Sequence, residues 1–159
     1  MNKVRAKICT WAQLKRRLSQ ERKKKNKIVF TNGCFDLLHV GHLKVFMECK
    51  KKGDVLVLGL NSDASIRRIK GPDRPIVTEK ERALLLAGLE PIDYVAIFPE
   101  DTPENLIKLV QPDVLVKGGD WKADQIVGRD VAKRVVRVPL IKGHSTSDLI
   151  QRIVDRYGR

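Results

Sequence analysis

The feature that most constrains the fold is the segment of residues 28–49, where a short apolar run and an amphipathic one meet at a glycine-containing turn. The apolar run at its start is rich in β-branched and aromatic residues, which predicts a strand. Asn32-Gly33 breaks the pattern, and Leu43 and Phe46 then recur at helical spacing. We therefore expect a strand, a turn and a helix in this order.

Two histidines lie at the start of the predicted helix. His39 and His42 are three residues apart, so their side chains project from one helix face, beside N–H groups that have no intrahelical partner. Gly41 lets a phosphate approach the backbone at the positive end of the helix dipole. The segment predicts an anion site. Two alternatives are a helix cap or core histidine, and a zinc site from Cys34, His39 and His42, for which no fourth ligand is evident.

The rest of the chain alternates strands and helices. Further strands are predicted at residues 55–60, 94–98, 113–117 and 135–139, and helices at 10–22, 65–70, 78–89, 124–133, 146–157 and from residue 102 onward. This alternation predicts an α/β domain with a parallel sheet and helices on both faces. Ligands of such sheets bind outside the carboxyl ends of the strands.

The formal net charge of +13 is concentrated at the N-terminus. Residues 1–27 hold 11 lysine and arginine side chains and a single acid, Glu21. We predict a basic N-terminal extension with a short amphipathic helix at 1–27, followed by the main domain at 28–159. Because no aromatic residues interleave with the basic run, we do not expect nucleic acid as a partner. A non-enzymatic nucleic-acid-binding module that uses this arm is the alternative from another functional class.

Composition also limits the compartment. No apolar run approaches the roughly 20 residues that a membrane span needs, and no apolar core of a secretory signal follows the basic N-terminus. Cys9, Cys34 and Cys49 form no C-x-x-C pair, which is typical of reduced thiols. We expect a cytoplasmic protein with no membrane partner.

Five ordered segments resemble one protein family. TNGCFDLLHVGH at 31–42 is similar to the His-x-Gly-His signature of the cytidylyltransferase-like nucleotidyltransferases. LNSD at 60–63, IKGPDRP at 69–75, VKGGDW at 116–121 and GHSTS at 143–147 resemble one branch, the heptose 1-phosphate adenylyltransferases of lipopolysaccharide-core precursor synthesis, in their freestanding form. The resemblance implies a Rossmann-like, three-layer α/β/α nucleotidyltransferase domain at 28–159, with a five-stranded parallel sheet in the order 3-2-1-4-5.

The resemblance also implies an activity. A member of this branch makes ADP-heptose and pyrophosphate from ATP and D-glycero-β-D-manno-heptose 1-phosphate, with Mg²⁺ bound through the nucleotide phosphates. Many members of the family are dimeric, so a homodimer is one expected assembly. The alternative enzyme is a cytidylyltransferase acting on glycerol 3-phosphate or a similar small phosphate. Those enzymes carry an arginine where this chain has Leu140, which weakens that reading.

Roles for individual residues follow from the motifs and the resemblance together. Catalysis is assigned to His39, His42 and Lys44. Nucleotide binding is assigned to Thr31, Asn32, Gly33, Cys34, Phe35, Asp36 and Gly41, to Lys117, Gly119, Asp120 and Trp121, and to Gly143, Ser145, Thr146 and Ser147. Substrate phosphate is expected to contact Lys70, Arg74 and Arg82. For Asp36 two roles stay open, since its carboxylate either fixes the turn or helps to place Mg²⁺.

Overall fold

The structure is a computed structural model that describes residues 1–119, 126–139 and 143–158. Its helices are α1 (Asn2–Arg5), α2 (Trp11–Lys23), α3 (Val40–Lys50), α4 (Asp63–Lys70), α5 (Glu79–Gly88), α6 (Glu104–Val110) and α7 (Thr146–Tyr157), and its strands are β1 (Ile28–Gly33), β2 (Val55–Asn61), β3 (Tyr94–Phe98), β4 (Val114–Gly118) and β5 (Arg134–Val138). Of the helices in these ranges, none has both the length and the apolar character needed to cross a membrane.

The five strands form one parallel sheet in the order β3-β2-β1-β4-β5. This confirms the fold class that the resemblance implies. The four later strands lie within one residue of their predicted bounds, because each is a short apolar run between turn residues. Parallel pairing places all carboxyl ends at one edge, where β1 leads into α3.

Helices cover both faces of the sheet, and alternate residues of each strand pack against opposite layers. Val29 belongs to the core under α3 and α5, together with Phe46 and Leu86. Ile28 and Phe30 belong to the second core, under α2 and α6. The sheet is therefore buried on both sides, as its continuous apolar strands predict.

The N-terminal segment contributes to the second core. Leu14 and Leu18 of α2 are fully buried, and Thr10 caps this helix in a capping box with Gln13. Upstream, the Cys9 N–H donates to the carbonyl of Val95 in β3. The division at residue 27 stays a prediction of the sequence, but the structure packs the helix before it onto the same sheet.

One predicted element differs from the structure. A helix was expected at 124–133, yet the described part of this range, 126–133, forms turns. Gly128 has φ +82, and a Cβ atom there would meet the Ile107 side chain at 2.6 Å. A right-handed helix cannot pass through this backbone conformation, and apolar periodicity alone does not reveal it.

Candidate active site

A cleft of about 300 Å³ lies at the carboxyl ends of β1 and β4, where α3 and α7 begin. We call it the histidine cleft. It brings together predicted site residues from three of the five motif segments, namely 31–36 and His42, Lys70 and Arg74, and Thr146 and Ser147. Residues more than 100 positions apart in the chain thus share one wall, and the cleft lies where ligands of parallel α/β sheets bind.

His39 and His42 stack on each other in the first turn of α3. Their ring centroids are 3.7 Å apart, and Phe35 meets the His42 ring edge-on at 5.1 Å. Within the described residues, the buried Nδ1 atom of each ring has no hydrogen-bond partner. His42 lines the histidine cleft, whereas His39 is not among its lining residues and adjoins it through the stacked His42 ring.

Burial disfavours the charged form of both imidazoles. Burial and, to a smaller extent, the neighbouring His39 lower the pKa of His42 to about 4. Burial and, to a smaller extent, His144 lower the pKa of His39. A bound polyanion acts in the opposite direction, because a nearby negative charge favours the protonated form. Ligand binding and proton uptake are therefore coupled at this pair.

Gly41 has a steric role that the sequence did not reveal. A Cβ atom at this position would lie 2.9 Å from the His39 ring and 3.3 Å from the carbonyl oxygen of His144. The first contact would displace the ring from its partner. Glycine is therefore required here for the two histidines to stack, in addition to the predicted close approach of a phosphate.

The first turns of α3 and α7 present polar groups to the cleft. In α3 the His42 N–H already donates to the His39 carbonyl. In α7 the Ser145 side chain accepts from the Asp148 N–H as an N-cap, with Gly143 two residues upstream at φ +71. Thr146 and Ser147 line the cleft wall, and the Thr146 hydroxyl donates to the carbonyl of Leu37 at 3.5 Å. The positive ends of two helix dipoles converge on one space, which favours an anion.

Asp36 fixes a loop to the cleft. Its buried carboxylate accepts hydrogen bonds from the N–H groups of Ile76 and Val77, and from Nε of Arg74 at 2.6 Å. Burial alone raises the pKa of Asp36, but these three donors and the charge of Arg74 outweigh it and hold the pKa below its usual value. The carboxylate thus anchors residues 74–77, and Arg74 is oriented at the cleft by this ion pair.

Arg82 lies beneath the cleft and does not reach its surface. It is 1% exposed, and its guanidinium donates to the carbonyls of Cys34, Asn61 and Val77 and to the carboxylate of Asp63. These contacts give it a supporting role in place of the expected contact with substrate phosphate. One signal was present in the sequence, since Arg82 lies four residues before the buried Leu86 and so occupies the inward face of α5.

A second cleft, of about 320 Å³, adjoins the first and shares Asn32, Gly33, Lys70 and Gly118 with it. Lys117 lies here, with Nζ donating to Oδ1 of Asn32. Burial lowers the pKa of Lys117 to about 8. Asn61 also lines this cleft, and the sequence analysis did not select it.

Some predicted residues that the structure describes line neither cleft. Lys44 is exposed on α3 and lines neither cleft. Gly119 has φ +107 and donates its N–H to Val138 at the end of β5. Asp120, Trp121 and Leu140 lie outside the described residues. The roles assigned to these positions stay predictions.

A groove of about 850 Å³ lies at the opposite edge of the sheet, before the starts of β1 and β4, and its basic lining includes Arg22, Lys27 and Lys133. It contains none of the predicted site residues.

As for metals, the described residues contain no group of three histidine, cysteine, aspartate or glutamate side chains arranged to hold an ion. The zinc alternative at Cys34, His39 and His42 therefore has no geometric support in this part of the chain.

Comparison with known proteins shows the family of the chain. The family model described as cytidylyltransferase-like matches residues 30–153. The chain belongs to the cytidylyltransferase-like family. It is accordingly a nucleotidyltransferase, and the histidine cleft lies within the matched residues. Relatives named bifunctional protein HldE are 55% identical over 144 residues in Syntrophotalea carbinolica and 56% identical over 130 residues in Helicobacter hepaticus.

The coverage of these relatives is unequal. The matches span 88% and 82% of this chain but only 29% and 27% of the two HldE proteins, so the chain corresponds to less than a third of their length. Among solved structures, the lipopolysaccharide core biosynthesis protein of Thermoplasma volcanium has a TM-score of 0.63 at 29% identity, over 74% of this chain and 99% of the other. The chain therefore shares its fold with the Thermoplasma volcanium protein, which is matched over nearly its whole length.

Replacing Asp36 with Asn tests the anchored loop. The change keeps the side chain's shape and removes the charge that Arg74 and two N–H groups face, so we expect a loss of about 1.5–3 kcal/mol in the free energy of unfolding at pH 7. Because the folded-state pKa is lowered, the stabilisation is present above the unfolded-state pKa of about 4 and is lost as pH falls through the folded-state value.

Urea unfolding of wild type and variant across pH measures this difference. The gap should be full at pH 6–7 and shrink below about pH 4. Asp73→Asn, an exposed change in the same loop, serves as the control and should stay within about 0.5 kcal/mol of wild type. An equal loss in both variants, or a gap that does not change with pH, would contradict the anchoring role.

Proposed function

We propose that this chain transfers the adenylyl group of ATP to D-glycero-β-D-manno-heptose 1-phosphate and releases pyrophosphate, as a step in making lipopolysaccharide-core precursors. The observation that carries the proposal is the convergence of α3 and α7 on one cleft with the stacked pair His39 and His42 in the first turn. Similarity to the HldE proteins and to the Thermoplasma volcanium protein supports the substrate class.

The reaction needs position and charge stabilisation, and no protein nucleophile. An oxygen of the sugar phosphate forms a bond to the α-phosphorus while the bond from that phosphorus to the bridging oxygen of pyrophosphate breaks. His39 and His42 donate hydrogen bonds to the α-phosphate and the bridging oxygen. As negative charge grows on those oxygens, the pKa of each imidazole rises, so the pair stabilises the transition state more than bound ATP.

Other residues of the cleft bind the phosphate groups of ATP and of the sugar. The first turn of α7, with Thr146 and Ser147, suits the β- and γ-phosphates, because hydroxyl and N–H donors meet there. Lys70 and Arg74 border the cleft and supply positive charge for the sugar phosphate. Among the described residues that line the histidine cleft, Asp36 alone carries a carboxylate. That carboxylate already accepts hydrogen bonds from Arg74 and from the N–H groups of residues 76–77. Mg²⁺ would therefore be held chiefly by phosphate oxygens and would offset their charge.

A panel of nucleoside triphosphates and phosphate acceptors tests the proposal, with pyrophosphate release as the readout. Release should require the heptose 1-phosphate and Mg²⁺, and it should be at least about tenfold faster with ATP than with CTP or GTP, since a wrong base leaves hydrogen-bonding groups unpaired. Equal rates with CTP and glycerol 3-phosphate would support the alternative cytidylyltransferase and overturn the substrate assignment.

Replacing either His39 or His42 with Ala tests the catalytic pair. We expect kcat to fall by at least about 10²-fold, with ATP affinity kept within about tenfold, because the lost interaction strengthens in the transition state. Val40→Ala, an exposed change in the same helical turn, is the matched control and should keep wild-type kcat. Near-wild-type turnover in both histidine variants would remove the pair from the mechanism.

A further inference from the structure

Three adjacent strands place a polar side chain on the same face of the sheet at their carboxyl ends. Asn61 ends β2, Asn32 lies one residue before the end of β1, and Lys117 lies one residue before the end of β4. Because strand side chains alternate, Asn32 and Lys117 share a face with Phe30 and Leu115, which pack in the core under α2 and α6. All three polar residues line the second cleft.

The amide of Asn32 has a fixed orientation. Nζ of Lys117 donates to its Oδ1 atom. An ammonium group can only donate, so the oxygen of the amide must face Lys117 and the NH₂ group must point away from it. Within the described residues, no group accepts a hydrogen bond from that NH₂. Asn32 therefore presents a donor to the cleft.

The amide of Asn61 is fixed in the opposite sense. Its Nδ2 atom donates to Oγ of Ser65 at 3.0 Å, and that hydroxyl donates to the carbonyl of Glu100 at 2.8 Å. A carbonyl can only accept, so the direction of both hydrogen bonds is set by Glu100. Asn61 is 4% exposed, and the hydrogen bonds of the described residues include no donor to its Oδ1 atom. Asn61 therefore presents an acceptor.

We propose that the second cleft is the acceptor subsite, and that Asn32 and Asn61 together bind two neighbouring hydroxyl groups of a sugar phosphate. Each hydroxyl both donates and accepts, so one can accept from Asn32 while the other donates to Asn61. A site built to pair with hydroxyls rejects analogues that lack them, because its buried polar groups are then left unpaired. This assignment rests on the proposed function, since it takes the acceptor to be a sugar phosphate.

The relative position of the two clefts favours the sugar phosphate, rather than the nucleotide, as the molecule that carries these hydroxyls. In-line transfer needs the attacking and leaving oxygens on opposite sides of the α-phosphorus. The clefts meet at Gly33 and Gly118, which have no side chain to separate them, and Lys70 borders both. With pyrophosphate in the histidine cleft, the attacking phosphate enters from the second one. The ribose of the nucleotide carries the same pair of hydroxyls and is the competing source.

Calorimetric binding without turnover tests the subsite. Heptose 1-phosphate is titrated into protein saturated with Mg²⁺ and α,β-methylene-ATP, for wild type, Asn32→Ala and Ser65→Ala. We expect at least tenfold weaker sugar binding in Asn32→Ala and a smaller loss in Ser65→Ala, which frees the Asn61 amide to rotate. The proposal moves Asn32 from the nucleotide-binding role expected from the sequence to the acceptor, so binding of the ATP analogue should weaken clearly less than sugar binding does. Asn2→Ala, on exposed α1, is the control and should match wild type.

Analogues that lack one hydroxyl show whether the bound hydroxyls belong to the sugar phosphate or to the ribose of the nucleotide. Wild type should bind one monodeoxy sugar 1-phosphate at least fivefold more weakly than the parent, and Asn32→Ala should lose that discrimination. Unchanged sugar binding in Asn32→Ala, or no sugar binding to wild type, would overturn the inference. A loss of discrimination between ATP and its 2′- or 3′-deoxy forms would reassign the pair to ribose. Because no turnover is needed, a failure of pyrophosphate release overturns the proposed reaction separately.

Discussion

The guanidinium of Arg82 is buried beneath both clefts and joins four segments of the chain: the turn after β1, the end of β2, the start of α4 and the loop before α5. Its partner Asp63 compensates the buried charge at 2.6 Å. Removing one partner of a buried pair typically costs about 3–5 kcal/mol, because a charge and several carbonyls are left unsatisfied. The carbonyls of Cys34 and Asn61 are held by the same nitrogen, so the floors of the two clefts are fixed relative to each other.

Above the buried Arg82, the common direction of the parallel strands determines at which edge of the sheet the active site forms. Parallel strands deliver the ends of β1, β2 and β4 to one edge, and the helices that begin there aim their positive ends at the same space. Burial lowers the pKa of both His39 and His42, and a bound phosphate would raise it again, because a nearby negative charge favours the protonated imidazole. The large basic groove lies at the opposite edge and is separate from this arrangement.

The sequence predicted the elements well where local patterns decide them. The strands read as apolar runs, and α2, α5 and α7 begin within one residue of their predicted starts, where Thr10, Thr78 and Ser145 form capping boxes. The strand order came from the resemblance, since periodicity carries no information on which strands pair. The helix expected at 124–133 was wrong in its described part, because Gly128 adopts a left-handed conformation that interrupts a right-handed helix and that apolar spacing does not encode.

Within the site, the sequence located the cleft better than it assigned roles. Motif residues 31–36, His42 and Thr146 do line one cleft, whereas Arg82 is buried below it. The carboxylate of Asp36, which is among the lining residues, is paired with Arg74. Such roles depend on partners far away in the chain, which no local pattern encodes. The direction of an amide is likewise set only by its neighbours, so the donor at Asn32 and the acceptor at Asn61 required the folded structure.

The most direct test of the account is a crystal structure of the protein with Mg²⁺ and a non-hydrolysable ATP analogue. The account predicts phosphate oxygens within hydrogen-bond distance of His42 and of the first turns of α3 and α7, with the second cleft left open for the acceptor. A triphosphate bound instead in the basic groove beside Lys27 and Lys133, or away from both histidines, would contradict it.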